Sequence, residues 1–316
     1  MDLLFSGVPR FSRCVAAVLA LGALSFPGSA ARALVWPDLA EKIETDLRAA
    51  DGMTRRAAAQ DIGSLGRARG AALALLALGD PDAEVRLAAA DVAIRLRAPG
   101  ATDAAMAWVN APDARLRKKA CDIARAMPTR SAVALLGRAL GDPDAEVRGA
   151  AADALGRQDS QEAVAPLLGR LDDPAPAVRI EIVEALGRLG DARAIVPLVS
   201  KVQDSSPDVR QTVARALGDL GNARASPALM VALRDQSVDV RREALAALGR
   251  IRADDAVDAI APFAAERTAA LRAAALASLG RIASAAAIRV LLVALGTHED
   301  ATASLERSPV RDALVA

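Results

Sequence analysis

Residues 142–179 read DPDAEVRGAAADALGRQDSQEAVAPLLGRLDDPAPAVR. The stretch opens on an Asp-Pro turn that runs into Val147-Arg148, and it closes on another that runs into Val178-Arg179. The two arginines stand 31 residues apart, and the same step recurs at Arg55, Arg86, Arg117, Arg148, Arg179, Arg210, Arg241 and Arg272. A fixed period of this length predicts an array in which each unit is one supersecondary element and packs only on its neighbours.

Counting from each arginine as position zero, the apolar columns have helical spacing. Position −1 holds Val85, Leu116, Val147, Val178, Val209, Val240 and Leu271. Position +3 holds Ala58, Ala89, Ala120, Ala151, Ile182, Val213, Ala244 and Ala275, and +4 adds Cys121 to a column that is otherwise Ala, Val or Leu. Together they form one buried stripe on a second helix B that follows a helix A in every unit. Asp, Ser and Pro fill the turns between A and B, where Asp or Ser caps the next helix. Leu-Gly pairs (Leu65-Gly66, Leu155-Gly156, Leu186-Gly187, Leu217-Gly218, Leu248-Gly249, Leu279-Gly280) suggest glycine stops at the ends of the B helices. Outside the stripe, Asp91/Arg95, Asp153/Arg157 and Glu184/Arg188 have the spacing of intrahelical ion pairs. The fold class expected is therefore all-α: a right-handed α-solenoid (α/α superhelix) of 31-residue two-helix repeats.

Composition agrees. The chain is 53% hydrophobic but 2% aromatic and has no Tyr, which suits Ala-rich helices at close approach better than a sheet. The formal charge is +1, and a neutral chain without stacking aromatics is a poor nucleic-acid binder. Residues 1–33 have the tripartite pattern of a signal peptide: Arg10 and Arg13, the apolar run Cys14–Leu24, then Ala31-Arg32-Ala33 as a cleavage site. The expected domains are the leader at 1–33 and the solenoid at 34–316, with eight repeats and a truncated ninth. Such a chain is exported, periplasmic or secreted, and has no membrane span once the leader is cleaved. Cys121 is then the one remaining cysteine, in a core column, so a disulfide framework is excluded.

The period slips once. The next arginine is due at 303, but Ala303 stands there and Pro309-Val310-Arg311 carries the motif. The polar run at 297–308 reads as an insertion, and the missing closure after Arg311 predicts a continuation beyond residue 316 or a partner on that end.

An acidic residue six before each arginine completes a pattern: Asp80/Arg86, Asp142/Arg148, Asp173/Arg179, Asp204/Arg210, Asp235/Arg241 and Glu266/Arg272. Units one and three carry Ala49 and Ala111 instead, with Asp51 and Asp113 as nearby substitutes. On these residues, over about 36–316, the chain resembles HEAT-repeat proteins, in particular the short HEAT-like repeats named after phycobilisome lyases. The resemblance implies a structural ladder of these side chains between adjacent turns, with the B helices lining a concave face. An arginine near a helix start opposes the helix dipole, so charge-assisted bonds must compensate it.

Catalytic readings find little support. His298 is the single histidine, in the inserted run, and histidine-based metal catalysis needs several convergent ligands. No catalytic, cofactor-binding or metal-binding residue is assigned, and no cofactor is expected. The expected function is a non-catalytic protein-interaction scaffold or adaptor in the bacterial cell envelope. The alternatives are an enzyme-associated HEAT-like member, of the bilin lyase or deoxyhypusine hydroxylase lineage, and a fragment of a larger multi-domain protein. Candidate partner-binding residues are Trp108 and Phe263, which share position −9, together with Glu184, Arg188, Arg215 and Arg242 on the charged face.

Overall fold

The computed structural model describes residues 39–296. The expected leader, the insertion at 297–308 with His298, and the motif at Arg311 lie outside them. Within them the chain alternates A and B helices. The A helices are α1 (Leu39–Asp46), α3 (Arg67–Ala77), α5 (Ala101–Ala105), α7 (Arg130–Ala139), α9 (Val164–Leu168), α11 (Ile195–Val199), α13 (Ser226–Ala232), α15 (Val257–Ile260) and α17 (Ala285–Gly296). The B helices are α2 (Gly52–Asp61), α4 (Ala83–Leu96), α6 (Ala114–Ala126), α8 (Ala145–Gly156), α10 (Pro176–Leu189), α12 (Pro207–Asp219), α14 (Val238–Arg250) and α16 (Ala269–Ile282). Each B helix packs on the B helices before and after it, so the even-numbered helices form one continuous layer.

The apolar columns form the core. Val85, Val147, Val209 and Val240 at −1, the +3 column and the +4 column are all buried, Cys121 among them. Several A layers are short because they start as a single 3-10 turn. Ser160, Asp191 and Asn222 cap those turns by accepting from Glu162, Arg193 and Arg224 N–H. Pro166 and Pro197 then sit in the first turns of α9 and α11, where a missing N–H costs nothing. Asp82, Asp113 and Asp144 cap α4, α6 and α8 in the same way.

The Leu-Gly pairs have a different role from a helix stop. Gly187, Gly218 and Gly249 lie inside α10, α12 and α14, at position +8. They are contact points: a Cβ built on Gly156 would lie 2.6 Å from the Cα of Ala185, and one on Gly249 would lie 2.9 Å from the Cα of Ser278. Three positions later comes a left-handed residue in five units: Gly190 (φ 68°), Gly221 (φ 66°), Arg97 (φ 51°), Arg252 (φ 51°) and Ala283 (φ 54°). Leu65-Gly66 is out of register with the other pairs; Ile62-Gly63 holds the equivalent positions.

Candidate functional site

Every repeat arginine in the described residues is fixed the same way at one end. Its Nη1 donates to the carbonyl six residues earlier and, in seven of the eight, to the next carbonyl as well; in unit five these are Asp173 at 2.9 Å and Pro174 at 3.4 Å. These bonds close the A–B turn of the arginine's own unit. The other edge of the guanidinium faces the following unit. Nε and Nη2 of Arg55, Arg117, Arg148, Arg179 and Arg210 grip the carboxylates of Asp80, Asp142, Asp173, Asp204 and Asp235 with two bonds each, at 2.6–3.1 Å. The pattern of an acid six residues before an arginine therefore holds in sequence, but the ion pair joins residues 25 apart in adjacent units. Within a pair such as Asp173/Arg179, only the aspartate's carbonyl meets the arginine.

These rungs are well buried, with Arg179 and Asp204 side chains 10% and 7% exposed. Burial works against the charge on Asp204, but bonds from Arg179 and the Ser206 N–H outweigh it and hold the carboxyl below its ordinary value. Asp173 is lowered against burial in the same way, by Arg148 and the Ala175 N–H. At Asp235 the bond from Arg210 is the largest effect.

Among the described residues the ladder breaks twice. Ala111 offers Arg86 no carboxylate, and Arg86 Nε is buried without a partner. Asp113 does not substitute, because it caps α6 and pairs with Arg115 at 2.8 Å. Asp51 likewise caps α2, accepting from Thr54. At the second break Glu266 is present, but its carboxylate accepts from the adjacent Arg267 N–H and forms no bond with Arg241.

The charged face is a cross-unit network and not a set of intrahelical pairs. Of the three pairs expected, only Asp153–Arg157 forms, at 3.1 Å. Asp91 meets Lys119 of the next unit at 2.9 Å, Arg188 reaches back to Asp153 at 2.8 Å, and Glu184 takes Arg215 at 2.5 Å. For the last two the reason is geometric: close approach at Gly156 and Gly187 puts the neighbouring helix's charge within reach, whereas Asp91–Lys119 forms at a joint that has no +8 glycine. Arg242 is exposed and pairs with Asp239. Between α8 and α10 this face holds an open groove of about 610 Å³, whose lining includes Gly149, Glu181, Glu184 and Arg188. Burial, then Glu184 and Asp153, push the Glu181 carboxyl above its ordinary value.

The two aromatics at −9 separate. Trp108 is 5% exposed and belongs to the core, so it is not an exposed anchor. Its column holds Asp46, Arg170 and Lys201, which suggest exposure, but also Ala77, Ala139 and Ala232, which are buried like Trp108. Phe263 is half-buried and lines a second open groove, of about 1020 Å³, with Met230, Val231, Leu233 and Pro262. Val231 is 49% exposed there. Sequence reasoning missed this groove because it spans turns and A helices of three units. Cys121 is 1% exposed, and burial pushes its thiol up to about 12, which removes it as a nucleophile. Among the described residues no group of His, Cys, Asp and Glu could hold a metal, and no helix is long and apolar enough to cross a membrane.

A family model described as HEAT repeats matches residues 102–176, 166–238 and 226–307. No curated protein matches the chain. Among solved structures, the X-ray structure of YibA from Escherichia coli is 17% identical, covering 84% of this chain and 97% of that one, with a TM-score of 0.55. Importin beta is 15% identical over 78% of this chain and 41% of that one, with a TM-score of 0.60. The complex of CpcE and CpcF of phycocyanin lyase from Nostoc sp. PCC7120 is 26% identical over 72% of this chain and 94% of that one, with a TM-score of 0.43.

Proposed function

Because the chain belongs to the HEAT-repeat family, we propose that it is a non-catalytic scaffold, wound as a right-handed superhelix, that docks a protein partner in the bacterial cell envelope after export. The observation that carries this reading is the open groove around Phe263. Half-buried Met230 and Phe263 form its floor, exposed Val231 and Pro262 its rim, and Arg234 and Asp258 flank them. An aromatic floor with a charged rim suits an apolar side chain on a partner's surface. The export and the envelope location rest on the leader pattern of residues 1–33, and the non-catalytic reading on a sequence that carries one histidine.

A photo-crosslinking residue at Val231 in the full chain, expressed with its leader, tests this. The expected result is one discrete adduct in the periplasmic fraction, lost on Phe263→Ala. Adducts that are equally abundant with a probe at exposed Leu76 contradict the groove as the docking place. Stoichiometric iron in the purified protein would overturn the non-catalytic reading in favour of the hydroxylase lineage.

A further inference from the structure

We infer that the joint between the second and third units is a carboxylate-binding site, formed by Arg86 and the turn at Ala111. Five rungs of the same molecule show what the cradle holds. In each, Nε and Nη2 of the arginine donate to the two oxygens of one carboxylate. A third bond comes from the backbone N–H two residues past the aspartate: Asp82 to Asp80, Asp144 to Asp142, Ala175 to Asp173, Ser206 to Asp204 and Ser237 to Asp235, at 2.8–2.9 Å. The cradle is thus one guanidinium edge and one amide, arranged for a planar anion with two oxygens.

The joint at Ala111 retains the fixed parts of that cradle. Arg86 Nη1 is anchored on the Asp80 and Pro81 carbonyls at 2.6 and 3.1 Å, as in the other units. The Ala111 N–H bonds the Trp108 carbonyl at 2.9 Å, as the Asp173 N–H bonds Arg170 at 3.0 Å, so the two turns close with the same bond. The Asp113 N–H occupies the position of the third donor. Only the carboxylate is missing, since residue 111 ends at its methyl group. Arg86 is the one repeat arginine among the described residues whose Nε is buried without a partner. A buried cationic donor left unpaired is costly, and any ligand that satisfies it recovers that cost. The nearby acids cannot supply it internally: Asp80 is held by Arg55, and Asp113 by Arg115. The break at Arg241 differs, because Arg241 has no buried unpaired nitrogen. The ligand class is a monocarboxylate: a free one such as acetate, or the end of an Asp or Glu side chain on a bound protein. This site is independent of the Phe263 groove.

Thermal unfolding of the full chain, with sodium acetate exchanged for sodium chloride at constant ionic strength, tests the site. A ligand that binds the folded state raises the midpoint saturably. Wild type is expected to respond, and Ala111→Asp, which fills the cradle covalently, is expected to start higher and not respond. A second arm uses the blocked peptides Ac-Gly-Asp-Gly-NH2 and Ac-Gly-Asn-Gly-NH2. If the Asp peptide acts at lower concentration than acetate, the source is a side chain; if acetate acts at lower concentration, it is a free acid. Should Ala111→Asp fail to fold, the Arg86 ¹Hε–¹⁵Nε resonance of wild type is the direct readout. It shifts with acetate and not with chloride if the site exists. Equal responses of wild type and Ala111→Asp, or an Arg86 resonance indifferent to acetate, would overturn the assignment.

Discussion

Two joints of the same solenoid are built differently. Between units five and six, Arg179 grips Asp204 with two bonds, Gly187 lets α10 approach Ala216 of α12, and Gly190 takes the left-handed turn that follows. Between units two and three none of the three devices is present. Ala111 replaces the aspartate, Ile94 stands where Gly187 does, and Arg97 is forced into the left-handed region at φ 51°. The core columns are equally buried at both joints, with Val85, Ala89 and Ala120 as inaccessible as Val178, Ile182 and Val213. Apolar burial alone is therefore enough to stack two units. The rung and the glycine fix one geometry between them, and the second joint lacks that specification.

The comparison can be broken first at its strong side. Arg179→Ala removes the two bonds to Asp204 and the turn-closing bonds to the Asp173 and Pro174 carbonyls, leaves the Asp204 carboxylate without its cation, and is expected to cost at least about 1.5–3 kcal/mol. An unchanged denaturation midpoint would dismiss the ladder. Gly156→Ala, forced against the Ala185 backbone, is expected to cost about 1–3 kcal/mol by overpacking, while Arg125→Ala in the same column stays within about 0.5 kcal/mol. Equal losses from the two would show that the glycine is no contact point. At the weak side, Ala111→Asp is expected to gain about 1–2 kcal/mol, as a completed hydrogen bond to a charged group should. Glu266→Asp, which shortens the side chain toward the Arg241 rung, gains less, about 1 kcal/mol. Arg97→Gly relieves left-handed strain and gains a few tenths of a kcal/mol to about 1 kcal/mol after its entropic cost. Chemical denaturation reads all six variants.

The joints also differ in acid. Asp173, Asp204 and Asp235 are held below their ordinary values, so the folded state binds fewer protons than the unfolded one near pH 4. Their contribution is fully present above about pH 4 and is lost as the pH falls through the lowered values. Hydrogen exchange below about pH 4 should show units five to seven loosening, while around Ala111, where there is no rung to lose, the change is confined to the α6 cap on Asp113.

The fold was legible because a period of 31 and three apolar columns admit few arrangements. The rung was only half legible. An arginine six residues after one aspartate stands 25 before the next, and a strictly periodic sequence cannot say which of the two it holds. The same ambiguity hid the ion pairs of Glu184 and Arg188, whose partners across the joint are nearer than those along the helix. Gly187 and Gly249 looked like helix ends because glycine is used both for left-handed stops and for close approach. Trp108 looked exposed because Asp46, Arg170 and Lys201 share its column.

A double-mutant cycle on Arg179 and Asp204, with Arg179 and Asp173 as its control, tests the cross-unit ladder most directly. The geometry predicts a coupling of at least about 1.5 kcal/mol for the first pair, and a much smaller one for the second, where only the aspartate's carbonyl is touched. Additive losses for Arg179 and Asp204, or a larger coupling with Asp173, would contradict it.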